Sequence, residues 1–127
     1  MAEAVSLIFI ILAAVCNAVM DICSHKFSIS VFKDLNPWWW NSEISWKNKY
    51  INRNPSEGRK KLFWKINYPV QLTDAWHFFK MLMLVLICLA VVFYRPVFNW
   101  WADILYFGAA WNCTFGLFYN KCLVTKV

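Results

Sequence analysis

The stretch VSLIFIILAAVCNAVMDICSH, residues 5–25, decides the class of this chain. From Val5 to Ile22 it is almost wholly apolar, close to the roughly 20 residues that a transmembrane helix requires. Two more apolar runs follow, Phe78 to Tyr94 and about Trp100 to Val124. Hydrophobic residues make up 61% of the 127 and aromatic residues 20%, and the mean hydropathy is +0.42. That balance is too apolar for an ordinary soluble domain. The expected fold is an all-α membrane protein with three transmembrane helices, at 5–25, 74–94 and 99–124. An aromatic-rich, partly ordered interfacial cap (27–72) separates the first two helices, and residues 1–127 form a single domain.

The first run is expected to be a retained helix. Glu3 stands where a secretory signal carries a basic residue, and no Lys or Arg precedes Lys26. Val15 is too bulky for the position before a lipoprotein cysteine at Cys16, and Ala13 stands where leucine is usual. Ten of the thirteen Lys and Arg residues fall between Lys26 and Lys80. By the positive-inside rule the central loop and the C-terminus are cytoplasmic and the N-terminus is outside. The net charge of +6 fits attraction to anionic membrane lipids, and no nucleic-acid-binding motif accompanies it. Cys16, Cys23, Cys88, Cys113 and Cys122 are odd in number and form no CxxC, so buried free thiols are expected.

The loop from Phe27 to Thr73 holds one glycine, Gly58, and many rings, among them Trp38, Trp39, Trp40, Trp46, Tyr50, Phe63, Trp64 and Tyr68. Such rings belong at the headgroup level. Asn54-Pro55-Ser56-Glu57-Gly58 reads as an exposed turn. A short interfacial helix is predicted over Glu43–Tyr50, while Lys61–Tyr68 fits strand or helix. In the third run, Gly108, Asn112, Gly116 and Asn120 recur every four residues. This small-residue stripe is read chiefly as a packing face.

The candidate chemistry lies at the loop-side ends of the first two helices. Asp21 and His25 are four residues apart, Asp74 and His77 three apart, and both spacings place a pair on one helix face. Antiparallel spans bring all four to one membrane boundary, the cytoplasmic one. Imidazole and carboxylate suit zinc or another divalent transition metal. His25, His77 and Asp21 are the expected ligands, with Asp74 as fourth ligand or general base, so that Asp21 and Asp74 are the candidate catalytic carboxylates. Lys47, Lys49, Arg59 and Lys60, with Lys61, are candidates to hold a substrate phosphate. Without metal, either acid–histidine pair can run acid–base chemistry. Simpler roles exist for each residue: Asp74 as a first helical residue after a Thr73 N-cap, His77 beside Trp76 and Lys80 at the interface, Asp21 paired with Lys26 or Lys80. HExxH, GxxxxGK and GxSxG are absent.

Three blocks, Asn17-Ala18-Val19-Met20-Asp21 with His25, Ser45-Trp46-Lys47-Asn48-Lys49-Tyr50, and Leu72-Thr73-Asp74-Ala75-Trp76-His77, resemble a group of small bacterial membrane proteins of unknown function. The resemblance covers about Asn17 to Lys80 and implies an integral protein of a bacterial inner membrane in which the blocks travel together. It implies no particular activity. Two functional classes follow from the residues: a metal-dependent hydrolase of a lipid or lipid-linked substrate, and a non-catalytic membrane subunit or scaffold that binds a protein partner through the aromatic cap and third helix. Three helices bury little surface, which favours a homo-oligomer.

Overall fold

The computed structural model describes residues 2–125; the C-terminal basic residue Lys126 lies outside the described residues. Helix α1 spans Ala2–His25, α2 Pro37–Trp40, α3 Ser42–Ser45, α4 Ala75–Val92 and α5 Trp100–Leu117. Residues Ala4–His25, with mean hydropathy 2.4, and Ala75–Val92, with 2.2, are long and apolar enough to cross a membrane. Helix α5 matches α4 in length but is less apolar, because Asp103, Asn112 and two glycines interrupt its rings and aliphatics. It continues beyond Leu117 as a π-helical turn, Phe118–Cys122.

Helix α1 is the central element, packed against α4 and also against α5. Its contact face is built from small side chains: Ala13, Ala14, Ala18 and Cys23 are fully buried, and Cys16 nearly so. Small residues let helix backbones approach closely, so dispersion contacts accumulate without a large side chain between them. Ala13, Cys16 and Leu86 anchor one apolar cluster, joined by Phe9, Phe79, Leu82 and Trp111. Val19, Cys23 and Ala75 anchor a second, nearer the loop, where Phe32, Trp39 and Trp40 close over it. The stripe on α5 is not used in this way. A Cβ added at Gly108 or Gly116 would meet nothing within 4 Å. Asn112 and Asn120 instead donate to their own helix, at Gly108 O (2.8 Å) and Gly116 O (3.1 Å).

Both α1 and α5 end on the side where α4 begins. Val31 N donates to Leu123 O (3.0 Å) and Thr125 N to Ile29 O (2.9 Å), while the Lys26 ammonium lies 3.8 Å from the Tyr119 ring centre. At the opposite end Asp103, 1% exposed, fastens the turn between α4 and α5. Its carboxylate accepts from Tyr94 OH (2.7 Å), Val97 N (3.0 Å) and Phe98 N (3.1 Å).

The segment between α1 and α4 is a chain of short, side-chain-capped turns. Asn36 caps α2 by accepting from Trp38 N, with Pro37 at the first helical position, and Asn41 caps α3 by accepting from Glu43 N. A 3-10 turn, Trp46–Lys49, follows α3 directly, so the helix expected over Glu43–Tyr50 forms in two short pieces. Lys61–Tyr68 resolves as a hairpin, with β1 (Lys61–Leu62) antiparallel to β2 (Ile66–Asn67). Its turn holds Phe63 (φ 48°) and Trp64 (φ 70°) in the left-handed region, 80% and 92% exposed.

Candidate functional site

Helix α4 begins at Asp74, which is the N-cap; the expectation that Thr73 caps and Asp74 opens the helix is corrected. Asp74 has extended backbone angles, and its Oδ1 accepts from His77 N at 2.9 Å, the bond that defines a cap. The Thr73 hydroxyl is held back by Val70 O at 2.7 Å, with Asp74 Oδ2 3.1 Å away. With Oδ1 fixed on the cap, Oδ2 is left facing the imidazole three residues on. His77 Nδ1 lies 2.7 Å from it. A carboxylate only accepts, so Nδ1 carries a proton and donates, and in the neutral imidazole the lone pair is then on Nε2. The Asp74 side chain is 2% exposed and that of His77 24%. The acid is hidden and the base is reachable.

His77 lines two hollows. One is a recess of about 130 Å3 lined by Ser24, Ser42, Ser45, Trp46 and Trp76 together with Asp74 and His77. The other is an apolar groove of about 550 Å3 on the outer face of α4, lined by His77, Lys80, Met81, Leu84, Val85 and Cys88 among others. From His77 to Val92 this groove follows about 22 Å of helix. Lys80, whose ammonium lies 4.7 Å from the Trp76 ring centre, is the cation at its loop-side end.

The recess draws on two of the three sequence blocks, Ser45 and Trp46 from the second and Asp74, Trp76 and His77 from the third, and on Ser24, which precedes His25 of the first. Asn48 supplies the tie between those two blocks. Its amide Nδ2 donates to Thr73 O at 2.9 Å and also to Trp38 O, joining α2, the turn after α3 and the start of α4. Trp46 and Tyr50, one turn apart, meet edge to face at 5.9 Å.

The first acid–histidine pair is arranged differently. Asp21 is half-buried on α1 and His25 exposed at its end. His25 lines a separate recess with Ser24, Phe27, Ser28, Asn41 and Glu43. Among the described residues no group of three or more His, Cys, Asp or Glu side chains is placed to hold a metal ion. The four side chains share an end of the molecule, and of the two acid–histidine pairs Asp74–His77 is the one in hydrogen-bond contact.

The candidate phosphate ligands are spread over the loop. Lys47 and Lys49 each lie 5.8 Å from the Trp46 ring centre. Arg59 is exposed opposite Tyr50 in a short antiparallel bridge. Lys60 lines a polar hollow of about 400 Å3 with Arg53, Asn48 and Tyr68, where the Arg53 guanidinium stacks 4.0 Å from the Trp38 ring centre. None of these four lines the recess or the groove at His77. From sequence Lys80 stands only as an interfacial or pairing cation, and only the contacts of the folded loop distinguish Ser42 and Ser45 from other serines. No protein-family model, curated protein sequence or solved structure matches the chain, so its chemistry rests on the side chains themselves.

Proposed function

We propose that this chain is a small integral membrane hydrolase in which the Asp74–His77 pair acts on an ester of a lipid or lipid-linked substrate. The observation that carries the reading is the position of His77: oriented through Nδ1 by a buried carboxylate, it borders both a hydroxyl-lined recess and a long apolar groove. An apolar groove ending at an oriented base matches a substrate with a hydrocarbon tail and a polar junction. Asp74 stabilises the imidazolium that forms when Nε2 takes a proton. Lys80 lies where an anionic headgroup would emerge from the groove.

On this reading α1, α4 and α5 all span a bacterial inner membrane, with the N-terminus outside. The 27–72 segment and the C-terminal end of α5 are cytoplasmic, in keeping with the Lys and Arg bias. The rings of that segment then form an interfacial cap, and Trp39 and Trp40, packed near Phe78 and Phe79 (6.4 and 6.1 Å between ring centres), hold it on α4.

The test is turnover of a fluorogenic phospholipid by the full chain in lipid vesicles, with His77→Ala beside it. Turnover lost in the variant supports the reading; no turnover above protein-free vesicles across neutral and acidic diacyl lipids overturns it. In that event the open α5 face, with Trp100, Ile104 and Leu105 more than half exposed, favours the second reading, a non-catalytic subunit that binds a membrane partner through α5.

A further inference from the structure

Buried hydroxyls in folded proteins nearly always have a hydrogen-bond partner, because desolvation without one costs free energy. Among the described residues the Oγ atoms of Ser42 and Ser45, like that of Ser6 on α1, are buried and have none. Both serines belong to α3 and are three residues apart, so they share a helix face, and both line the recess that also holds Asp74 and His77. Ser45 is the more deeply placed, at 1% exposure. Ser24, the third serine there, belongs to the long α1.

Resting on the hydrolase reading above, we infer that Ser45 is the nucleophile of a Ser45–His77–Asp74 relay that forms a covalent acyl intermediate, with the acyl chain lying in the α4 groove. The roles follow from atoms already in position. Asp74 fixes the imidazole tautomer through Nδ1, so Nε2 is the only ring nitrogen able to take a proton. Ser45 has a hydroxyl proton committed to no acceptor. No hydrogen bond joins Ser45 Oγ to Nε2 in the resting protein; such contacts commonly tighten when substrate enters.

The reaction balances as two transfers. Ser45 Oγ bonds to the ester carbonyl carbon while its proton passes to His77 Nε2. The carbonyl carbon–alkoxy bond then breaks, and the departing alcohol takes that proton. Water next adds to the acyl carbon and gives a proton to Nε2. The acyl–Oγ bond breaks, Oγ recovers the proton, and a free fatty acid leaves. Neither transfer needs an oxidant, a metal or a second substrate besides water.

The experiment treats the full chain in vesicles with a long-chain alkyl fluorophosphonate and maps the adduct by peptide mass spectrometry. The expected adduct is on Ser45. Labelling disappears in Ser45→Ala, slows at least tenfold in His77→Gln and is unchanged in Ser56→Ala, an exposed loop serine that lines neither the recess nor the groove. Because the adduct is mapped in the unmodified protein, a variant that misfolds does not decide the outcome. An adduct at another residue, or none, overturns the inference. If phospholipid turnover persists in Ser45→Ala without any adduct, the covalent route fails and the hydrolase reading stands. If the wild-type chain neither forms an adduct nor turns over phospholipid, both fail.

Discussion

Replacing Asp74 separates two jobs that one side chain performs. In Asp74→Asn the amide oxygen can still accept from His77 N, so the cap survives; Asn and Asp cap about equally well, and stability should change by less than about 0.5 kcal/mol. The other half of the group becomes an NH2. Facing Nδ1, it donates where Asp74 Oδ2 accepted, at the 2.7 Å contact, and forces the ring proton onto Nε2. His77 then has no lone pair to offer the recess. Positioned general bases contribute about 10²–10⁴ in rate, about 3–5 kcal/mol of barrier, and the Asn variant should lose that much turnover. Asp74→Ala loses the cap as well, at about 1–2 kcal/mol, so its melting temperature falls together with its activity. The assay pairs fluorogenic phospholipid turnover in vesicles with thermal unfolding in detergent. An Asn variant that keeps more than a third of the wild-type rate at unchanged melting temperature would refute the role given to the Asp74–His77 contact.

Asn48→Ala removes the amide that bridges Trp38 O and Thr73 O; thermal unfolding should register a loss of about 1–3 kcal/mol, with turnover falling because the start of α4 loosens. Ala18→Leu, at a fully buried position of α1, should cost about 1–3 kcal/mol through overpacking. Gly116→Ala should instead gain about 0.8–1 kcal/mol of helix propensity, since its added Cβ meets open space; a lower melting temperature with a changed oligomer size would mean that a second chain occupies that stripe. Phe63→Asn with Trp64→Gly should raise stability by about 1–2 kcal/mol by relieving two left-handed backbones, measured as an upward shift in melting temperature.

Much of this architecture is legible in the chain, for reasons that differ by element. Helices α1 and α4 announce themselves by length and hydropathy, because an apolar run of that size has few other stable destinations. Asp74 and His77 are readable as a pair because a three-residue interval fixes their side of the helix. Asp21 and His25 obey the same geometry, yet His25 points to another recess, since helical spacing sets a shared face and not a shared partner. The close-packed small residues prove to be Ala13, Ala14 and Ala18, which look unremarkable amid aliphatics, rather than the conspicuous Gly108 and Gly116. The hairpin at Lys61–Asn67 is obscured because its turn carries Phe63 and Trp64 where Asn or Gly would have signalled left-handed backbone. Ser45 reaches the recess only through the turns joining α2, α3 and α4, which no local spacing encodes.

The exit of α1 is fastened by partners almost a full chain away: Ser30 faces Val124, flanked by the Val31–Leu123 and Thr125–Ile29 hydrogen bonds. During synthesis those partners appear only about 5–20 s after Ser30, at ordinary elongation rates. Until then the backbone groups at the end of α1 have only water or transient contacts to satisfy them. Maturation of the loop-side face is thereby timed by completion of α5, and a ribosome stalled between α4 and α5 would hold a chain in which α1 and α4 are made but whose loop-side end is still unlatched.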